Sequence, residues 1–319
     1  MVKRIIKLKE ENAEKNISLF EAMELFQRYK SAQGVAELTQ RDYRNTFKGF
    51  KTFSSNSFNL SILKREVLEY LTTKSDGSPT KFNKPYAVLK CFFSWAMKQG
   101  LIDKNPIDVL DLKKKRDEPR IRSIAVERIR ELLSVMNLKT YIGLRDYTIT
   151  LLMMDCGMRP KEIFSLEIKD LALDSNTITV SKYVAKTRRT RILPLSQSVV
   201  DLMEKLIKVK PTEWKNDLIF CSYDGQQMTT ATFGQRLKRY GKQTGVKITP
   251  YDLRHCFATL YLQNNGNVFA LQKTMGHSNL NMTKRYVDVN DCALKEQHFI
   301  ASPVNQLMKR NTRINKIEL

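Results

Sequence analysis

Gly276 and His277 open the segment GHSNLNMTKRY, and Tyr286 stands nine residues after that histidine, with Lys284 and Arg285 just before it. The chain has only three histidines in 319 residues, so the pairing invites a chemical reading. A free phenol ionises near about pH 10 and is a weak nucleophile at neutrality. Cations held beside it make its oxyanion less costly. Gly276 can end one helix and Ser278 can cap the next, which predicts Tyr286 about two turns into that helix. A basic helix with a tyrosine packed in the core fits the same letters.

Three other segments carry similar chemistry. In TPYDLRHCFAT, residues 249–259, Thr249 suits an N-cap, Pro250 the first helical position and Asp252 the closing member of a capping box. Tyr251, Arg254 and His255 then project from one face of the first turns. The free N–H groups there and the planar fork of Arg254 favour a phosphate; an ion pair at Arg254 with His255 in the core is the plainer alternative. In CGMRPKEI, residues 156–163, a helix ends at Gly157, and Arg159 stands before Pro160 at the entrance to another. Glu162 can orient that arginine or simply pair with it. In AKTRR, Lys186, Arg188 and Arg189 sit where a β-hairpin turns. A lysine desolvated among cations can protonate a departing alkoxide; a basic loop resting on phosphates asks less of it.

The elements that must position these groups follow from periodicity. Residues 1–17 are polar and charged and read as an arm. Ser18 and Glu21 form a capping box for an amphipathic helix ending near Gly34, and further helices are predicted from Thr39, over 64–72 and over 79–99. Residues 18–110 therefore read as a small helical bundle. The run KKKRDEPR lacks apolar residues, so 111–120 reads as a basic linker, with Lys113, Lys114, Lys115 and Arg116 available to a phosphate backbone. Beyond it, 121–319 opens with helices at 124–136 and 141–156. It changes to period-2 strands at 178–183 and 191–195, then returns to helices at 198–209, 230–244, 250–264 and 268–275.

Composition narrows the function classes. The formal net charge is +22, and both parts are basic, with 19 Lys and Arg against 12 Asp and Glu over 1–110 and 36 against 21 over 111–319. That pattern suits a polyanionic partner gripped along the chain. The five cysteines form no CxxC pair, which argues against a zinc site or a disulfide framework. No apolar run is long enough for a signal peptide or a membrane span, so a soluble, cytoplasmic protein is expected.

Taken in order, an arginine in GMRPKE, a lysine on a hairpin that returns through RILPL, an arginine in YDLRHCFAT, and GH followed by a tyrosine resemble the tyrosine recombinase (phage integrase) family, over nearly the whole chain. The resemblance implies a mainly α fold with a small β-sheet: a helical, SAM-like core-binding domain and an α/β catalytic domain that close as a C-shaped clamp on double-stranded DNA. It implies that Arg159 and Arg254 hold the scissile phosphate, Lys186 protonates the leaving 5′-oxygen, and His277 donates a hydrogen bond to the phosphate. Tyr286 would form a 3′-phosphotyrosyl bond, with Glu162 and His255 in support. No metal, ATP or other cofactor is required. Tyr251 departs from the histidine usual at its position, which leaves open the group that takes the proton from Tyr286: His277, His255, water or the phosphate. The tail 287–319 would dock on a neighbouring protomer. The expected partners are DNA with inverted-repeat sites, further copies in a tetramer, and accessory DNA-bending proteins. The leading expectation is the integrase or excisionase-type recombinase of a mobile element. A telomere resolvase, to which Tyr251 points, an Xer-like resolvase, and a DNA-binding protein without catalysis are the alternatives.

Overall fold

Ser18 accepts from the Glu21 N–H while the Glu21 carboxylate accepts from the Ser18 N–H, and this capping box starts α1 (Leu19–Ala32) as the spacing predicts. The computed structural model describes residues 17–116, 124–185, 187–287, 298 and 301–304. The chain divides into two compact units, Met1–Pro119 and Arg120–Leu319.

The first unit continues with α2 (Glu37–Lys51), α3 (Leu60–Thr72), α4 (Pro79–Lys98) and the short α5 (Pro106–Val109). Helix α3 begins earlier than periodicity predicts because Asn59 caps it, accepting from the Ser61 and Ile62 N–H groups. Phe26, Phe47 and Phe92, from three different helices, meet edge to face with centroids 5.3–6.0 Å apart. Such contacts add about 0.5–1.5 kcal/mol each beyond area burial. Part of the basic run belongs to this unit. Lys115 exchanges backbone hydrogen bonds with the Asn83 side chain at 2.9 Å, and its ammonium lies over the Phe82 ring. Lys113, Lys114 and Arg116 are exposed. Residues 117–120 of the expected linker and nearly all of the expected arm lie outside the described residues.

The second unit contains α6 (Val126–Ser134), α7 (Tyr141–Cys156), α8 (Pro160–Ile163), β1 (Leu171–Ala172), β2 (Thr177–Val180) and β3 (Arg191–Pro194). It continues with α9 (Gln197–Lys208), α10 (Thr230–Thr244), α11 (Pro250–Gln263), α12 (Val268–Met275) and α13 (Asn281–Lys284). Its core packs Ile149, Leu152 and Met153 of α7 with Met203 and Leu206 of α9, Phe233 of α10 and Leu253 of α11. One polar network is buried within it. Asp146 is fully enclosed; one oxygen accepts from Arg145 and the other from Arg236 and the Tyr240 hydroxyl at 2.7 and 2.9 Å. Every lone pair facing the interior is thereby satisfied, which makes a buried carboxylate tolerable.

The sheet is antiparallel in the order β1-β2-β3, and β1 is an addition to the predicted hairpin. Strand β2 stops at Val180, short of the predicted residue 183, because the Ser181 carbonyl accepts from Val184 and Ala185 in a turn; Tyr183 is exposed. Ile178 opposes Leu193 and Val180 opposes Arg191. Directly opposed residues share a face, so Arg191 lies on the core side and Ile192 is 65% exposed. Among the described residues no helix is long and apolar enough to cross a membrane.

Candidate active site

Helix α7 ends because Gly157 adopts φ +58°, a conformation that strains any residue with a Cβ. A Cβ there would also lie 2.1 Å from the Phe257 ring. The close approach lets the carbonyl of Gly157 reach into the unit, where Arg254 Nη1 donates to it. Two residues later, Arg159 precedes Pro160 and α8. Its backbone N–H donates to Glu162 Oε2 at 3.0 Å and its Nη1 to Glu162 Oε1 at 3.2 Å. The pairing alternative for Arg159 and Glu162 is thus realised, but the arginine does more, since Nη2 donates to the Gly276 carbonyl at 3.0 Å.

The C-terminal end of α12 gathers the arginines. Its last carbonyls and that of its cap accept in turn: Thr274 from Arg191 at 3.1 Å, Met275 from Arg254 at 2.8 Å, and Gly276 from Arg159. Unpaired carbonyls and the negative end of the helix dipole attract cations there. Gly276 has φ +63°, and a Cβ on it would stand 3.1 Å from the Arg191 guanidinium. Arg191 also grips Glu162 with two bonds, 3.2 and 2.6 Å. Burial alone would raise the Glu162 carboxyl, but the Arg191 hydrogen bonds and charge, with help from Arg159, hold it below the usual carboxylate range. Three guanidinium groups therefore gather at one helix end, and two of them, Arg159 and Arg191, share the carboxylate of Glu162.

That imbalance shapes the neighbours. Burial, then the charge of Arg159, push the Arg254 guanidinium down to about 10, so it stays charged at neutral pH. Burial, then Arg254 and Arg159, push His277 down to about 4. His277 Nε2 lies 3.1 Å from Arg254 Nη2 and Nδ1 lies 2.8 Å from the buried hydroxyl of Thr283. Arginine can only donate, so Nε2 accepts, and the ring proton sits on Nδ1, directed at Thr283. Arg159, Arg191 and His277 line a cleft of about 640 Å³ together with Thr187, Arg189 and Thr190 from the hairpin tip.

The other expected residues fall as follows. Lys186 lies outside the described residues; its neighbour Thr187 faces the cleft. Arg188 is exposed with φ +52°, and Arg189 is exposed at the cleft wall. Tyr251, Arg254 and His255 do not share one environment. Arg254 is buried and His255 half-buried, whereas Tyr251 is 50% exposed and makes no side-chain hydrogen bond among the described residues. The capping box of Thr249 and Asp252 forms as expected. Tyr286 lies just past α13, a four-residue helix with no side-chain cap, instead of two turns into a longer helix begun at Ser278. Its ring packs against the cluster of Phe257, Ala258, Leu271 and Met275, and its hydroxyl lies 2.6 Å from His255 Nδ1. Burial raises the phenol above its ordinary range, outweighing the opposite pull of Arg254 and Arg285. Of the tail, 288–297, 299–300 and 305–319 lie outside the described residues.

Arg191 and Thr283 were not anticipated. For Arg191 a signal exists: in RILPL it has the same parity as Leu193 and Leu195, the two apolar positions opposite Pro194. For Thr283 no local pattern marks the role, since it depends on the ring of His277 arriving from the preceding loop.

A model of the phage integrase family matches residues 122–292. The tyrosine recombinase XerD of Listeria monocytogenes serotype 4b is 30% identical over 278 residues, which span 83% of this chain and 92% of the relative. Tyrosine recombinase XerC of Shewanella amazonensis is 27% identical over 275 residues, 84% and 91% of the two chains. Among solved structures, the Tn1549 transposon integrase in complex with circular intermediate DNA aligns with a TM-score of 0.72 at 22% identity, over 89% of this chain and 100% of that one. A lambda integrase dimer bound to a COC' core site aligns with a TM-score of 0.71 at 16% identity, over 85% and 77%. These structures share the fold.

Proposed function

Because this chain belongs to the phage integrase family of tyrosine recombinases, we propose that it is a site-specific DNA recombinase that cuts and rejoins double-stranded DNA through a 3′-phosphotyrosyl intermediate, in the service of a mobile element. The observation that carries the chemistry is the convergence of Arg159, Arg191 and Arg254 on the carbonyls at the end of α12, with one buried carboxylate, Glu162, shared by the first two. Such a site holds a surplus of fixed positive charge in a partly dry setting and suits an anion whose charge grows in the transition state.

In this reading Arg159 and Arg254 hold the non-bridging oxygens of the scissile phosphate, and Glu162 and Arg191 keep Arg159 aligned. Tyr286 attacks phosphorus, the 3′-phosphotyrosyl bond forms, and the P–O5′ bond breaks. Lys186 gives a proton to the departing 5′-oxygen. Reversal by the 5′-hydroxyl of a partner strand rejoins the DNA, and the bond energy is kept in the intermediate throughout. His277 can donate to the phosphate from Nε2 once Arg254 turns to the anion, provided its proton moves from Nδ1; the Thr283 hydroxyl permits this by switching from acceptor to donor. Residues 18–110 serve as the core-binding domain and 121–319 as the catalytic domain, and a tetramer assembles on inverted-repeat sites, with accessory DNA-bending proteins as additional partners. The basic side chains of Lys113, Lys114, Arg116, Arg188 and Arg189 contact the DNA backbone.

The test uses a nicked duplex carrying the site that the protein itself selects from random-sequence DNA. The wild type is expected to accumulate a covalent adduct at Tyr286, and Tyr286→Phe to bind equally and form none. A wild type that binds its site without ever forming the adduct would leave only a DNA-binding protein. A resolvase output is a second reading, favoured by relatives named XerD and XerC. Two directly repeated sites on one circle would be resolved faster than sites on separate circles are joined.

A further inference from the structure

The reaction proposed above needs an acceptor for the phenolic proton of Tyr286, and the usual position for one holds Tyr251. We infer that His255 is the catalytic residue that takes this proton. The inference rests on the recombinase reading and adds a role that the resemblance does not assign.

The competing acceptors are occupied or unsuited. The Tyr251 side chain is half exposed and makes no hydrogen bond among the described residues, and a phenol that ionises near about pH 10 is a poor base at neutrality. His277 faces Arg254 with Nε2 and Thr283 with Nδ1, and in the reading above its Nε2 is committed as a donor to the phosphate. His255 Nδ1, in contrast, lies 2.6 Å from the Tyr286 oxygen, within the range required of a general base. It is next in sequence to Arg254 on the same helix, so the base and the phosphate-holding guanidinium share one rigid support.

The charged surroundings suit the task. Asp252, Arg254 and Arg285 are the charged groups that face His255, with Tyr286 as its partner. Burial, opposed by Asp252 and reinforced by Arg254 and Arg285, holds its pKa below the ordinary histidine value. The ring is therefore neutral near pH 7 and ready to accept, while Asp252 lessens the repulsion once it is charged. In the forward step the Tyr286 O–H bond breaks to His255 Nδ1, the Oη–P bond forms, the P–O5′ bond breaks, and the 5′-oxygen is protonated by the general acid. On rejoining, His255 returns its proton to Tyr286 as the Oη–P bond breaks.

The experiment measures single-turnover formation of the Tyr286 adduct on the self-selected nicked duplex, between about pH 5 and 9. For the wild type the rate is expected to rise at acid pH and level off by neutrality. For His255→Gln it should fall on the order of 100-fold near pH 7 and keep climbing to the alkaline limit. A fluorinated tyrosine at position 286, whose phenol ionises nearer neutrality, should restore much of the rate in His255→Gln and little in the wild type. The inference is overturned by a variant as fast as the wild type, by a faster one (a contact that merely parks the nucleophile), or by a slow one whose pH profile is unchanged and that fluorotyrosine does not rescue (a structural contact). A wild type that forms no adduct overturns the recombinase reading and this inference with it. A wild type that forms one while His255→Gln matches it overturns the inference alone.

Discussion

Replacing Arg191 by methionine keeps the volume of the strand position and removes its charge. The change deletes two hydrogen bonds to Glu162 and one to the Thr274 carbonyl. Glu162, whose side chain is 1% exposed, is left with Arg159 as its remaining charged partner. Removing one member of a buried ion pair typically costs about 3–5 kcal/mol, well above the ~1 kcal/mol ceiling for exposed pairs. For a unit of this size that corresponds to a fall in Tm of roughly 6–20 °C. The pH dependence carries the sharper signature. In the wild type the Glu162 pKa is lowered, so its stabilisation is present above the unfolded carboxylate value and is lost as pH falls through the folded one. In the variant, burial prevails and the folded pKa moves above the unfolded one. The resulting penalty is felt at neutral pH and relieved as the acid protonates on the way down. Urea unfolding at about pH 7 and about pH 4 should therefore show a stability gap between wild type and Arg191→Met that narrows with acidity. Glu162→Gln added to Arg191→Met should recover part of the loss at neutral pH. A gap below about 1 kcal/mol, or one that does not change with pH, would refute the account of a buried carboxylate held between two arginines.

Gly157→Ala should destabilise the second unit by roughly 2–5 kcal/mol, because it combines left-handed strain with overpacking against Phe257; denaturant midpoints measure this. Thr283→Val removes the acceptor of the His277 Nδ1 proton. Because Arg254 still donates to Nε2, nitrogen NMR on histidine-labelled protein should show the Nδ1–H form retained in Thr283→Val and Thr283→Ser alike, while the orphaned Nδ1–H costs the valine variant about 1–3 kcal/mol in urea unfolding. For Lys186→Ala, a duplex with sulfur at the 5′-bridging position should cleave at close to the wild-type rate, because sulfur leaves without a proton; no recovery would remove Lys186 as the acid.

Most of the longer helices were legible from periodicity and caps alone, whereas α5 was not and α13 is shorter than the helix expected from Ser278. Ser18, Thr249 and Pro250 announce their helix starts by side-chain chemistry acting within one turn, and Gly157 marks an ending through its own backbone freedom. The order of the arginine, histidine and tyrosine segments was likewise present in the primary structure and sufficed to suggest the family. What it could not supply were the contacts made across long separations in sequence. Nothing local marks the partners of Asp146, yet it is fully enclosed, because Arg236 and Tyr240 reach it from α10. Arg191 shares the parity of Leu193 and Leu195, but pairing with β2 is what makes that face the buried one and leaves Ile192 exposed.

Sequence by itself determined which residue types were available and marked where several of the longer helices begin or end, because propensity, capping and charge act over a few neighbouring residues. Tertiary structure decided which of them meet. It set the carbonyls at the end of α12 as the common seat of three arginines, fixed the proton of His277 by aiming Arg254 at Nε2 and Thr283 at Nδ1, and brought His255 rather than Tyr251 to the Tyr286 hydroxyl. Those outcomes depend on burial and on distances between segments far apart in the chain, and a hydrogen bond exists only where folding has closed the gap.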